Sequence, residues 1–376
     1  MKTEFDLAFS EEQALMLETA EAFCADKSPM EFVREQLGKP AAFDREVWQE
    51  ITDLGWPGIA VPEQYGGAGL RLAEAVPVLE AMGRNLMTTP YMGSLLGAEI
   101  VKLRGSEEQK NAYLPRFCTG EIVSVAVFEE NGDWDLNAAE AKGRVDGDQV
   151  SLEGVKVFAN DLEEAALVLV SVQIDGEVAF ILLNREEIEP DRIEREGIID
   201  ETRRSYRLRL EGITAGKDQI LSQGDARSRM KQIELTACLL LGAEMCGGHG
   251  AVMDLTVEYL NTRQQFGRFI GAYQGLKHPM ADILTDYEGG RSLLYHAATV
   301  FDQEEEREEA IRMLKSWVGD AFIHAADRSV QFHGAFGFTY DCDAQLFLRR
   351  ALWCQSQYGD SDYHREALEE LLLGAA

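Results

Sequence analysis

Two polar motifs in the last third of the chain carry side chains that could handle a planar, anionic cofactor. The first is Tyr259-Leu-Asn-Thr-Arg-Gln-Gln-Phe-Gly-Arg268, followed by Ile270-Gly-Ala-Tyr-Gln274; it closes an Ala/Leu-rich helical run from roughly Met230 to Thr262. Arg263 offers a forked guanidinium suited to a pyrophosphate, the Gln264-Gln265 pair offers amide edges, and Phe266 offers a stacking face. The same residues also suit an ordinary helix end, where a cation complements the dipole and Gly267 stops the helix. The second motif is Gln331-Phe-His-Gly-Ala-Phe-Gly-Phe-Thr339, a glycine-punctuated turn between two helical stretches.

The elements that must position these motifs fall into three zones. From Ser10 to about Thr119 the periodicity is helical. Ser10-Glu-Glu-Gln13 reads as a capping box, and Asp44 reads as the N-cap of a helix with Val47, Trp48 and Ile51 on its apolar face. Breaks fall at Gly55-Trp-Pro-Gly58, at Pro62 to Gly69 and at Thr88-Thr-Pro-Tyr91. The Gly66, Gly67, Gly69 cluster is a structural turn, since no strand precedes it and no Lys-Ser/Thr follows. From about Glu121 to Leu221 the period shifts towards two. Strands are expected over 122–128, 149–152, 166–172 and 178–183, with hairpin turns at Asp146-Gly147 and Asp175-Gly176. From about Asp225 onwards the pattern is helical again, with Asp302 to Glu309 read as a solvated connection between helices. Helices, sheet, helices argues for a β-domain inserted between helical layers.

The bulk properties narrow the function further. A chain of 376 residues suggests two or three domains. With 36 basic against 66 acidic residues the net charge is -30, which repels nucleic acid and anionic lipid. A polyanionic substrate would need a local basic patch. The six cysteines form no CxxC pair, so reduced, buried thiols and a cytoplasmic protein are expected, with no metal site. No signal peptide is read at the N-terminus, and no apolar run reads as membrane-spanning.

Taken together the two motifs resemble the flavin-binding signatures of the acyl-CoA dehydrogenase family, and the resemblance runs along the whole chain. Leu54-Gly-Trp56 with Val61 to Gly69 is similar to the family's N-domain turn. Gly105-Ser-Glu-Glu-Gln-Lys110, Leu114-Pro115 and Thr119-Gly-Glu121 resemble the lead into its β-domain. Gly154-Val-Lys156-Val-Phe158 resembles the segment that packs on the flavin ring. The resemblance implies a mainly α fold with an inserted β-domain: an N-terminal helical domain over 1–119, a middle β-barrel-like domain over 120–222 and a C-terminal four-helix domain over 223–376. It also implies FAD as cofactor. Arg263 would bind the pyrophosphate and Phe266 would contact the cofactor from the same turn, both serving the FAD of a neighbouring subunit, and Gln274 would lie towards the adenine. Gln331, Gly334 and Gly337 match the second FAD segment, while His333 reads as a packing residue.

Departures from the family pattern concern the catalytic base and the flavin surroundings. The family's reaction needs a carboxylate near the substrate α-carbon. Most members carry a Glu between a Tyr and a Gly; here Gln357-Tyr358-Gly359-Asp360 places Tyr358 or Gly359 at that position, and neither can serve. Asp360 reads as a helix cap. Other members carry the base on the helix before the Arg-x-x-Phe-Gly turn, a position that falls on Ala237 here. Glu234 and Glu244 share roughly that helical face among leucines, so each is a candidate base, or a partner of an arginine on a neighbouring helix. Phe128-Glu129-Glu130 stands where the family usually has Thr-Glu-Pro beside the flavin, Phe158 replaces the usual Trp, and Asn160 replaces the hydroxyl residue after it.

A FAD signature without an obvious base resembles the small subunits of heteromeric acyl-CoA dehydrogenases. The expected function is FAD-dependent α,β-dehydrogenation of an acyl-CoA in lipid metabolism and β-oxidation. The expected assembly is a heterotetramer with a homologous larger subunit that supplies the Glu, with electron-transfer flavoprotein as acceptor. An oxidase or monooxygenase of the same fold and a non-catalytic scaffold subunit are the alternatives.

Overall fold

Helical periodicity becomes helix towards both ends of the chain, and the period-two stretch between them becomes sheet. The computed structural model describes residues 11–374; the Ser10 capping box lies outside them. The N-terminal helices are α1 (Glu11–Lys27), α2 (Met30–Gln36), α3 (Arg45–Asp53), α4 (Val76–Arg84), α5 (Tyr91–Arg104) and α6 (Glu107–Cys118). The strands that follow are β1 (Val123–Ala126), β2 (Lys142–Asp146), β3 (Gln149–Glu153), β4 (Val155–Asn160), β5 (Leu167–Ile174), β6 (Glu177–Asn184), β7 (Ile193–Glu196), β8 (Ser205–Arg209), β9 (Thr214–Gly216) and β10 (Ile220–Leu221). Then come α7 (Ala226–Thr262), the short strands β11 (Gln264–Gln265) and β12 (Arg268–Phe269), α8 (Gln274–Val300), α9 (Glu304–Phe332), α10 (Ala344–Ser356) and α11 (Ser361–Leu373).

The chain divides into two compact units. One comprises 36–72 and 88–237; the other comprises 1–35, 73–87 and 238–376. In the first, β10-β6-β5-β2-β3-β9 form a sheet in that order, with β1 joined parallel to β5, and β4-β8-β7 form a second sheet. β5 and β6 are apolar almost throughout because both their faces are covered, and Val168, Val170, Val172, Ile181 and Leu183 centre the core. Asp175 and Gly176 both adopt left-handed φ, 52° and 89°, and close the β5–β6 hairpin as expected for an Asp-Gly turn. The β2–β3 turn is offset from the expected pair: Asp146 already pairs with Gln149, so Gly147 and Asp148 are its central residues. Asp44 caps α3 by accepting from the Glu46 and Val47 amides, and Trp48 and Ile51 are buried beneath it.

The second unit is helical. α9 packs against α8, α10 and α11, and α1 against α4. α4 and α7 meet backbone to backbone: a Cβ on Gly83 would lie 2.0 Å from the Glu244 carbonyl oxygen, and one on Gly247 would lie 1.9 Å from that of Glu80. The Glu80 carboxylate, buried at that crossing, accepts from Arg291 Nε at 2.6 Å and from the Tyr295 hydroxyl. Two expectations are corrected here. The acidic run 302–309 is not a connection, because α9 begins at Glu304 and uses Glu304, Glu305 and Glu306 as its first turn, where negative charge complements the helix dipole. α7 is long and apolar enough to cross a membrane, and 94% of its most apolar 18-residue window is buried inside the protein, as in a core helix. All six cysteines are free thiols, and all but Cys118 are buried. No cluster of metal ligands occurs among the described residues.

Candidate active site

The turn after α7 is a minimal hairpin. Gln264 pairs with Phe269 and Gln265 with Arg268, leaving Phe266 and Gly267 at the tip with φ of 54° and 81°. A bulky residue in left-handed conformation is strained, and this one is also 92% exposed. Arg263, at the base of the hairpin, is exposed, and its guanidinium makes no hydrogen bond or ion pair among the described residues. Arg268 instead lies over the Tyr273 ring at 3.9 Å, and Gln274 is the exposed first residue of α8. The hairpin thus offers a free cation and an unburied aromatic face on one short loop.

The second motif forms a single 3-10 segment, Gly334–Phe338, between α9 and α10. Gln331 is exposed on the last turn of α9. Gly334 is required by its φ of 64°, whereas Gly337 is required by packing, since a Cβ there would lie 2.1 Å from the Val330 carbonyl oxygen. His333 is buried, stacks on Tyr259 with ring centroids 4.2 Å apart, and has Nδ1 2.8 Å from the Ser329 carbonyl oxygen. Its environment is that of a packing residue. Phe336 and Phe338 remain exposed, the latter at 79%.

The flavin-facing candidates of the β-domain lie in the other unit. Phe128 forms an isolated bridge with Val157, and the β4–β8 register slips between Lys156 and Ala159. At the slip Phe158 takes a φ of 55°, stays 38% exposed, and donates its amide to Glu196 Oε2 at 2.9 Å. Asn160 presents a buried side-chain oxygen with no hydrogen-bond partner in the described structure. An unsatisfied buried acceptor costs about 1–3 kcal/mol, so such a group points to a ligand donor. A strained, outward-turned aromatic beside an orphaned amide oxygen fits the rim of a planar heterocycle, and the free Arg263 fits a phosphate.

The loop 357–360, where the resemblance would put a base, carries no free acid and little room for one. Tyr358 and Gly359 are consecutive left-handed residues, φ 55° and 96°, and a Cβ on Gly359 would fall 2.3 Å from Tyr363 and 2.9 Å from His364 Nε2. Tyr358 is buried, which pushes its phenol well above the usual range and keeps it protonated. Three buried groups hold this loop by its carbonyls. Lys315 Nζ donates to Gly359 O at 2.7 Å and to Gln355 O at 2.9 Å, His364 Nε2 donates to Tyr358 O at 2.9 Å, and Cys238 Sγ lies 3.6 Å from the same oxygen. Since Tyr358 O can only accept, His364 carries its proton on Nε2, and Nδ1 accepts from Arg312 Nη1 at 2.9 Å. Burial, then the Lys315 and Arg312 charges, push the His364 pKa down to about 2. Asp360 caps α11 by accepting from the Tyr363 amide at 2.9 Å.

Of the two α7 carboxylates, Glu244 accepts from Arg350 Nη1 at 2.5 Å, with both side chains buried. Glu234 is also buried, on the part of α7 that belongs to the β-containing unit. The sequence reading did not single out Lys315, Arg312, His364 or Arg350. Their only signal was a cationic or imidazole residue at a core position of a helical pattern.

Residues 10–121 match the acyl-CoA dehydrogenase N-terminal domain and residues 230–373 match the acyl-CoA dehydrogenase C-terminal domain. The chain is 27% identical over 345 residues to acyl-CoA dehydrogenase IpdE2 of Mycolicibacterium smegmatis, covering 91% of this chain and 93% of that one. It is 25% identical over 384 residues to a 3-(aryl)acrylate reductase of Clostridium sporogenes, covering 97% and 99%. In fold it matches a chain of the ChsE4-ChsE5 complex from Mycobacterium tuberculosis with a TM-score of 0.89 at 22% identity, over 99% and 100% of the two chains. The chain belongs to the acyl-CoA dehydrogenase family.

Proposed function

We propose that this chain is a subunit of a heteromeric, FAD-dependent enzyme that introduces a double bond between the α- and β-carbons of an acyl-CoA. A homologous larger subunit supplies the base, and electron-transfer flavoprotein takes the electrons. The observation that carries this reading is the loop 357–360: its backbone is held by Lys315 and His364, its side chains offer no usable carboxylate, and Gly359 has no room for one. FAD, when bound, accepts the hydride that leaves the β-carbon. Arg263 and Phe266 would hold the phosphates and flank the cofactor of a neighbouring subunit from the hairpin, Gln274 would lie towards the adenine, and Gln331 with Gly334 and Gly337 match the second FAD segment. Phe128, Phe158 and Asn160 would line the ring from the β-domain. Glu234 and Glu244 are the candidate bases if the chain acts without a larger partner, and Glu244 would then have to act from beside Arg350.

Two relatives support parts of this reading. ChsE4-ChsE5 is a complex of two different chains, in line with a heteromer. The Clostridium sporogenes relative is by its name a reductase of a 3-(aryl)acrylate, an unsaturated acid, in line with redox chemistry of the class proposed here. The test is co-purification of a tagged copy from its own host, followed by an absorption spectrum and anaerobic substrate addition. A yellow complex with a second, Glu-bearing homologue, bleached by an acyl-CoA, is expected. A colourless protein would favour a scaffold role, oxygen consumption on substrate addition would favour an oxidase, and a competent homo-oligomer would overturn the heteromer and direct attention to Glu234 and Glu244.

A further inference from the structure

A buried ion pair lies directly behind the strained segment of β4. Lys156 Nζ is fully enclosed and uses all three of its donor positions: Glu129 Oε1 at 2.5 Å, Ser171 Oγ at 3.0 Å and the Val127 carbonyl oxygen at 3.4 Å. Glu129 in turn accepts from the Ala141 amide at 2.9 Å and the Glu140 amide at 2.6 Å. The pair therefore ties β4 to the exit of β1, to β5 and to the entry of β2. Its position is specific: Lys156 is the last residue before the register slip, Phe128 adjoins Glu129 and bridges Val157, and Phe158 follows with its left-handed φ.

Such a pair is a poor source of stability, because desolvating two charges offsets much of their attraction; apolar replacements of similar volume are often neutral or stabilising. What it supplies is geometry. A lysine with three fixed acceptors in a dry interior has one low-energy position, and β4 can slip by one residue only if that cation is left unpaired. We propose that Lys156 and Glu129 are positioning residues that set the slip in β4 and so hold the Phe158 ring turned outward. Resting on the reading that this segment faces FAD, the pair acts on cofactor binding through Phe158 and touches neither cofactor nor substrate.

The test uses the full chain in its purified complex, with 4-fluorophenylalanine placed at position 158. The double variant Lys156→Met/Glu129→Gln removes both charges together, so that neither is left buried alone. The expected result is a cooperative unfolding transition no lower than that of the parent protein. The 19F resonance should split or broaden in the variant, and FAD affinity should fall by about tenfold. A single, unshifted 19F resonance in the folded double variant would overturn the proposal. A split resonance with unchanged FAD affinity and flavin spectrum would support the anchoring while overturning the assignment of this segment to the flavin. The single variant Glu129→Asp gives a second route if the double variant fails to fold, because it shortens the anchor while keeping both charges, and the same 19F readout decides it.

Discussion

At the scale of single residues, three side chains make the site testable. Arg263 is a forked cation without a side-chain partner among the described residues, so its loss should cost binding and not folding. Arg263→Ala is expected to weaken FAD affinity by at least about tenfold while leaving the unfolding midpoint unchanged. Retained flavin after dialysis would reject the phosphate role. Glu244 is the opposite case. Glu244→Gln leaves Arg350 buried beside a neutral amide, and breaking such a pair costs about 3 kcal/mol or more. Denaturant melts should show that loss, whereas substrate bleaching per bound flavin should persist; loss of bleaching in a stably folded variant would make Glu244 the base. His364 sets a pH signature. Its folded pKa is depressed, so below about pH 6.5 the unfolded chain takes up a proton that the folded one refuses. Stability from this group is complete above pH 6.5 and falls as the pH drops towards 2, by about 2 kcal/mol between pH 7 and pH 5. His364→Gln should flatten the pH dependence by that amount, and an identical slope in both proteins would show that the imidazole is not held neutral.

At the scale of elements, the hairpin between α7 and α8 carries its own strain. Phe266→Gly relieves a left-handed phenylalanine at an exposed tip and should leave the separate chain as stable or more so, while weakening flavin binding in the complex. If instead the variant kept full affinity, the aromatic tip would have no binding role. This hairpin also marks the limit of what the sequence disclosed. Long elements were legible because their apolar periodicity is redundant: α7, α9, β5 and β6 stand where repeated Leu, Ala, Val and Ile place them. β11 and β12 are two residues each and wholly exposed, too short for any period to register. β4 was noticed only by resemblance, since its slip at 156–159 breaks the alternation that would have announced it. The loop 357–360 was legible as a place where the resemblance expects an acid and the sequence has Tyr358 and Gly359. The reason for it was not, because Lys315, Arg312 and His364 converge on that loop from two helices, and no local pattern encodes such a meeting.

At the scale of the whole molecule, charge and assembly dominate. A net charge of -30 opposes compaction through self-repulsion, which salt screens over a Debye length of about 10 Å at 0.1 M. Thermal stability is therefore expected to rise between low and moderate ionic strength; a flat or falling trend would mean that the repulsion is already neutralised by ion pairing. Exposed Phe266, Phe338 and Tyr340 place large aromatics in water on the helical unit, a pattern that suits a covered surface. Addition of a homologous, Glu-bearing subunit should protect these residues from surface labelling, and unaltered labelling in the assembled complex would place its interface elsewhere.

The division of the chain into two units also fixes an order of events during synthesis. The β-containing unit is encoded by residues 36–72 and 88–237, so all of it has been synthesised before residues 238–376 exist. The helical unit needs 1–35, 73–87 and 238–376 together. α1 and α4 can pair early, but Gly83 and the Glu80 carbonyl wait for α7, and the Glu80 carboxylate waits for Arg291, more than two hundred residues downstream. At translation speeds of roughly 5–20 residues per second, α4 waits about eight seconds or more for α7 and longer for Arg291. The nascent chain thus carries one unit complete in sequence and one helix pair still waiting for the surface that α7 and Arg291 will cover.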